Sequence, residues 1–159
     1  MSVGVTVWRI AKHTLEFSAA DLSGGGARKT GGRWNSKGRA VAYASSSIAL
    51  ATLETLAHLG DCIAVRNAFL VRIDIAQAVW ERRNRIAPES LDPTWLAEPA
   101  GSATVSVGDR WLDSAAAAVL EVPSVIVPEE SNLLINPAHA DASLIRATVA
   151  RQFLYDPRL

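Results

Sequence analysis

Residues Gly31–His58 read GGRWNSKGRAVAYASSSIALATLETLAH, and the fold turns on how this stretch is read. It opens on glycine, passes through Arg33 and Trp34, and closes in a run of small and apolar residues. Arg33–Asn35 and Ala40–Ala44 read as two short extended pieces. Ser45, Ser46 and Ser47 then offer hydroxyls that cap a helix. The helix is expected from Ile48 to Leu59, with Gly60 as its stop. Leu50, Leu53 and Ala57, and likewise Ala49, Leu53 and Leu56, follow the helical period, so its apolar arc is wide. Its polar members are few: Thr52, Glu54, Thr55 and His58, with Glu54 and His58 one turn apart on a shared face. A carboxylate in such a helix belongs either to a solvated stripe or to a chemical site.

Upstream, Val5–Ile10 alternates around Val5, Val7 and Arg9 and reads as a first strand. Phe17–Leu22 reads as a short helical turn. Ser23–Gly32, SGGGARKTGG, carries five of the ten glycines in the chain and reads as a loop. Downstream, Phe69–Ile75 alternates cleanly, with Phe69, Val71, Ile73 and Ile75 on one side. Trp80–Trp95 is polar, holds Pro88 and Pro93, and reads as a connection with short helical turns. Val107–Ser114, which contains GDRW, begins a short helix. After the apolar run Ala115–Val122, Ser124–Val127 is a short β-branched run between two prolines. Asn132–Asn136 is another apolar run, and Leu144–Leu154 supplies a last strand. Many short strands and few helices give an α+β domain, a single one over residues 1–159.

The bulk properties limit the function. The 159 residues suit one core, and the 49% hydrophobic content argues against disorder. Lys+Arg and Asp+Glu both number 16, for a formal net charge of zero, so composition lends no support to a nucleic-acid partner. The single cysteine, Cys62, cannot form an internal disulfide, which fits a reducing cytoplasm. The N-terminus lacks the pattern of a signal peptide, and no apolar run is long enough for a membrane span. The expectation is a cytoplasmic protein.

Several motifs fail on inspection. Lys29-Thr30 follows Arg28 rather than glycine, with no helix expected behind it, so the glycine-rich loop is not a Walker loop. No G-x-G-x-x-G marks a dinucleotide fold. His13, His58 and His139 are dispersed, so no metal site is expected. Arg33 alone reads as a loop ion pair, Tyr43 as a half-buried strand aromatic, and Ser124 as a hydroxyl at a strand edge. Trp34 and Trp111 alone read as core.

Taken in order, RWN, Tyr43, the glutamate of the leucine-rich helix, GDRW, VPS, N-x-x-x-NP-x-H and the terminal F-x-x-D-x-R-L resemble the RES-domain toxins of bacterial RES–Xre toxin–antitoxin pairs. The Arg, Glu and Ser that name that family fall on Arg33, Glu54 and Ser124. The resemblance runs from Trp8-Arg9 to Arg158-Leu159; Arg82–Thr104 matches none of its motifs.

The resemblance implies an ADP-ribosyltransferase-like fold, with a bent, split sheet around a nicotinamide-dinucleotide cleft. It implies that NAD⁺ is consumed as a substrate, with no cofactor retained, and that growth stops. ADP-ribose is transferred to a host protein, or NAD⁺ is degraded by hydrolysis or phosphorolysis. A non-catalytic binding module is the contrasting expectation. Cleaving the nicotinamide–ribose bond generates an oxocarbenium-like transition state that a carboxylate stabilises; this is the role expected of Glu54, with a nearby donor to keep it ionised. Arg33, with Arg9 second, is expected on the pyrophosphate or the adjoining ribose, aided by backbone N–H groups at Gly31 and Gly32. Tyr43 suits the flat cationic ring, and Ser124 suits the nicotinamide amide or a ribose hydroxyl. Trp34, Asn35 and Ser45 complete the expected NAD⁺ contacts, with His58 behind them. The implied partner is an Xre-family helix-turn-helix antitoxin that blocks the cleft, and the assembly allows a homodimer.

Overall fold

Alternation of apolar residues with polar ones lays down the frame. In the computed structural model, which describes residues 2–59 and 67–159, strand β1 runs Val3–Lys12. It pairs antiparallel along most of its length with β3, Ala68–Ala76. β3 in turn pairs with β7, Ile145–Gln152. A second group contains β2 (Ala42–Ser45), β5 (Val119–Pro123) and β6 (Ser131–Ile135). The two-residue β4, Asn84–Arg85, adds a parallel edge. The sheet order is β4-β5-β6-β2-β1-β3-β7.

One detail divides this sheet. β1 and β2 are matched through a single pair, Trp8 opposite Ser45, whereas β2 and β6 are matched along all of β2. The sheet is therefore two blocks, β4-β5-β6-β2 and β1-β3-β7, joined at one point. That is the split sheet implied by the resemblance.

Each face has its own core. Val7, Val71, Ile73 and Ile75 pack with Ala42, Ala44, Val119, Leu133 and Ile135 on one side. Trp34, Val41, Trp111, Leu120, Val122 and Leu134 pack on the other. Each fully buried aliphatic side chain contributes about 1.5–3 kcal/mol, so these layers hold the blocks together. A third cluster of Ala68, Leu70 and Phe153, with Trp8, Ile10, Ile48 and Tyr155 against it, seats helix α2 beside the split. α2 spans Ile48–Leu59 as expected, and the Ser47 hydroxyl accepts from Leu50 N at 3.0 Å to cap it. The expected stop at Gly60, and Cys62, lie outside the described residues.

Five expectations are corrected. Phe17–Leu22 is a turn, not helical; Ala19 N donates to His13 Nδ1 at 2.8 Å and holds it in place. Part of the glycine-rich loop is a short helix, α1, Gly25–Thr30. Gly24 and Gly31 flank it at φ of 74° and 71°, a left-handed conformation that glycine adopts without strain. Arg33–Asn35 is a tight turn closed by a Gly32–Asn35 bridge rather than an extended piece. Ser124–Val127 is a bend after β5, because the Ser124 hydroxyl accepts from Ile126 N and Val127 N, both at 3.1 Å. Between β3 and β4 lies helix α3, Gln77–Glu81. The helix carrying GDRW, α4, begins earlier than expected and spans Ser102–Ser114.

Candidate functional site

α2 carries Glu54, half-buried, in its second turn, close to the point where the sheet splits. Glu54 Oε1 accepts two hydrogen bonds, from Ser124 Oγ at 2.7 Å and from Asn132 Nδ2 at 2.7 Å. These bonds cross 70 and 78 residues of chain, so only the folded sheet can make them. Ser124 and Asn132 come from the two arms of the β5–β6 hairpin, and Ser124 N donates to Glu130 O at 2.9 Å across its end. Ser124 is fully buried, and its hydroxyl is used three times over. Asn132 Oδ1 accepts from Ser45 Oγ at 2.7 Å. Among the described residues, Glu54 Oε2 accepts no hydrogen bond from the protein. The carboxylate is thus gripped by one oxygen and available by the other, an arrangement suited to a ribose hydroxyl or a developing cation.

The Arg33 turn is a second anchored unit. Arg33 Nη1 donates to Trp95 O at 3.0 Å and to Ala97 O at 2.8 Å, and Nη2 meets Glu98 Oε2 at 2.7 Å. The arginine side chain is 16% exposed and that of Glu98 is 80% exposed. A guanidinium fork therefore faces an anion that solvent also reaches, as a phosphate-binding arginine would. Behind it, helix α4 holds the turn. Ser36 N and Oγ donate to the two oxygens of Asp109 at 3.1 and 2.6 Å. A Cβ at Gly108 would lie 1.6 Å from Trp34 O, so only glycine lets the helix come this close. The Arg39–Asp113 ion pair ties the following loop to the end of α4.

β2 joins the two units. Tyr43 OH accepts from Trp34 N at 3.1 Å and donates to Asn35 Oδ1 at 2.7 Å. Burial pushes its phenol well above the ordinary tyrosine value, the bond from Trp34 opposing this. Two residues on, and so on the same face of the strand, Ser45 holds the partner of Glu54. One face of β2 thus sets both the arginine turn and the glutamate.

The other expected residues fall in distinct places. Trp34 is core, 3% exposed, and Asn35 is 1% exposed. Asn35 Nδ2 is committed to Ala27 O, Ser36 O and Arg39 O, so it ties the loop together. Arg9 is not brought to Glu54: it follows Trp8, which pairs with Ser45, and strand alternation places it on the opposite face beside Val7. There it reaches Asp21 O at 3.3 Å, and burial lowers its pKa against the pull of Asp21. His58 is exposed, one turn beyond Glu54. Asn132 and Asp109 were not foreseen as functional. Their signal was present only as motif letters, because the partners they hold are distant in sequence. Among the described residues no three His, Cys, Asp or Glu gather as a metal site, and no helix is long and apolar enough to cross a membrane.

Known proteins resemble this chain in sequence and fold. The RES domain matches residues 6–156. The chain belongs to the RES-domain family. This RES domain is 51% identical over 152 residues to the Prs ADP-ribosylating toxin of Sphingobium sp. (strain YBL2), covering 96% of this chain and 94% of that protein. It is 38% identical over 144 residues to Toxin Res of Yersinia enterocolitica, covering 90% and 93%. Among solved structures it resembles the M. tuberculosis MbcT–MbcA toxin–antitoxin complex, with a TM-score of 0.67 over 92% of this chain and 84% of that one. At 16% identity that likeness shows the α+β fold alone.

Proposed function

We propose that this RES domain is a toxin that cleaves the nicotinamide–ribose bond of NAD⁺ and transfers ADP-ribose to a protein. The observation that carries the reading is the grip on Glu54: one carboxylate oxygen held by Ser124 and Asn132 at 2.7 Å each, the other left for substrate. As the C1′–N bond breaks, its electron pair moves to the pyridinium nitrogen and neutralises the ring. The Glu54 carboxylate stabilises the positive charge that develops on the ribose. A nucleophile on the acceptor then forms a bond to C1′ and releases its proton. The products are nicotinamide, the ADP-ribosylated acceptor and a proton.

In this reading Arg33 binds the pyrophosphate in place of Glu98, and the Tyr43 ring faces the nicotinamide. Ser124 acts through Glu54 rather than on the substrate, since its hydroxyl is already committed. NAD⁺ is a consumed substrate, and no metal takes part. The name of the Sphingobium relative, 51% identical, supports transfer to a protein over hydrolysis or phosphorolysis, and it makes Prs the first acceptor to try. The structural relative was solved with its antitoxin, which supports an antitoxin partner here. That this partner is an Xre-type helix-turn-helix protein covering the cleft is part of the proposal.

The test is incubation of the purified chain with NAD⁺ labelled in the adenylate and with purified Prs, then separation of the proteins. A labelled Prs band is expected. Free ADP-ribose or its phosphate ester, with no labelled protein, would replace transfer by NAD⁺ degradation; intact NAD⁺ would overturn the proposal.

A further inference from the structure

We infer that Asn132, held by Ser45, is a positioning residue that sets the Glu54 carboxylate for reaction; this rests on the NAD⁺-cleaving reading above. The row of residues that places it is fixed by strand register. Trp8 lies opposite Ser45 across β1–β2, Ser45 opposite Asn132 across β2–β6, and Asn132 opposite Val122 across β6–β5. These partners share one face of the sheet, so the backbone alone delivers Asn132 to the row that crosses from one block to the other. Glu54 on α2 lies against that row.

The amide has only one workable orientation. With Oδ1 toward Ser45 and Nδ2 toward Glu54, both neighbours are satisfied, at 2.7 Å each. Turned over, the amide would press its oxygen against a carboxylate oxygen at the same distance, two acceptors with no proton between them. The Glu54 oxygen, which only accepts, therefore decides which end of the amide faces it, and the Ser45 hydroxyl, 4% exposed, donates to Oδ1 and holds the amide from its other end. Ser124 approaches the same oxygen of Glu54 from the far arm of the hairpin. Two donors on Oε1 fix the plane of the carboxylate and leave Oε2 as the oxygen that meets the ribose. Charge-assisted bonds of this kind are the stronger class, so the carboxylate is held firmly in that plane.

Replacement by aspartate isolates the role. Asn132→Asp keeps the size of the side chain and the Ser45 bond but exchanges a donor for a second carboxylate against Glu54. Two carboxylates this close share one proton, and the pair gains a raised apparent pKa. We would measure nicotinamide release with a protein acceptor at saturating and limiting NAD⁺, between about pH 6 and 9, for the unsubstituted chain, Asn132→Asp and Ser45→Ala. Unfolding midpoints would be recorded beside the rates. Asn132→Asp should lower kcat by roughly tenfold to a hundredfold, leave KM within about twofold, and add an ionisation step absent from the parent profile. Ser45→Ala should lower kcat by on the order of fivefold with no new step, because the amide is loosened but no charge is added.

An Asn132→Asp enzyme with the parent profile and kcat would overturn the positioning role while leaving the proposed function standing. A loss of rate in both variants matched only by a fall in midpoint, with no new ionisation, would do the same. An unsubstituted chain that leaves NAD⁺ intact would overturn the function first and the positioning role with it.

Discussion

Gly108→Ala adds one methyl group at a position remote from any reacting atom, and it should disable the protein. The new Cβ would lie 1.6 Å from Trp34 O and 2.7 Å from Trp34 C. The closest ordinary carbon–oxygen contact is about 3.3 Å, so helix and turn must part by roughly 1.7 Å. Neither side yields easily. Trp34 and Trp111 are 3% and 7% exposed, and Ser36 is tied to Asp109 by two bonds. Overpacking costs about 1–3 kcal/mol, and weakening bonds to a charged partner adds about 1.5–3 kcal/mol. The expected loss is therefore about 2.5–6 kcal/mol, a large share of a typical stability of about 5–15 kcal/mol. Arg33 precedes Trp34 directly, and a misplacement of about 1 Å at a positioning group costs roughly 100-fold in rate. Urea unfolding followed by tryptophan fluorescence, with nicotinamide release measured on the fraction that remains folded, reads both effects. Gly101→Ala is the control: it precedes the same helix, has nothing within 4 Å of the added Cβ, and should change neither. A Gly108→Ala protein with the parent midpoint and rate would refute the claim that α4 holds the arginine turn.

Ser124→Ala removes a donor to Glu54 and leaves Ile126 N and Val127 N without their acceptor, so stability should fall by about 2–5 kcal/mol, read from the unfolding midpoint, with at least a tenfold loss of rate. Glu98→Gln removes the anion that competes for Arg33; the Glu98 side chain is 80% exposed and its pull is screened by solvent, so KM for NAD⁺ should fall about two- to fivefold at low salt and converge with the parent at high salt, with kcat unchanged. Tyr43→Phe keeps the ring but strands Trp34 N and Asn35 Oδ1, so it should lower stability by about 1–3 kcal/mol with little change in KM, whereas Tyr43→Ala should raise KM; thermal melts and saturation curves separate these. Asp74 has its pKa lowered chiefly by the Thr6 hydroxyl at 2.7 Å, with Arg72 adding to it. Its contribution is therefore present above its unfolded value of about 4 and is lost as pH falls through the lower folded value. Unfolding midpoints from about pH 7 down to about pH 3 should drop less steeply for Asp74→Asn than for the parent.

Much of this was legible because it is local. The alternation of Val71, Ile73 and Ile75 and the serine-capped helix at Ile48 depend on neighbours a few residues away, and both formed as read. Glycine-rich Gly25–Thr30 gave no helical period, yet it folds into a helix because flanking glycines with positive φ close both its ends. Ser124–Val127 has β-branched composition, but its serine hydroxyl captures two backbone N–H groups that a strand would have needed. The arginine, tyrosine, glutamate and serine could be named from the resemblance to RES-domain motifs. What order does not give is register. Asn132 reaches Glu54 only because Ser45 and Asn132 are opposite one another in the sheet, and Arg9 misses it because a strand reverses its side chains at every step. The contacts of Arg33 with Trp95, Ala97 and Glu98 lie in a segment, Arg82–Thr104, that matched no motif, and they too exist only in the folded chain.

The central claim is that the charge of Glu54 drives cleavage of NAD⁺. Glu54→Gln tests it with little structural disturbance, because the amide oxygen can still accept from Ser124 and Asn132 while the charge is gone. The decisive measurement is a proton NMR time course of the parent chain and Glu54→Gln, each with NAD⁺ and Prs, following the nicotinamide ring protons. Free nicotinamide should accumulate with the parent and fall by at least a hundredfold in rate with Glu54→Gln. Equal rates of release from the two proteins would contradict the account.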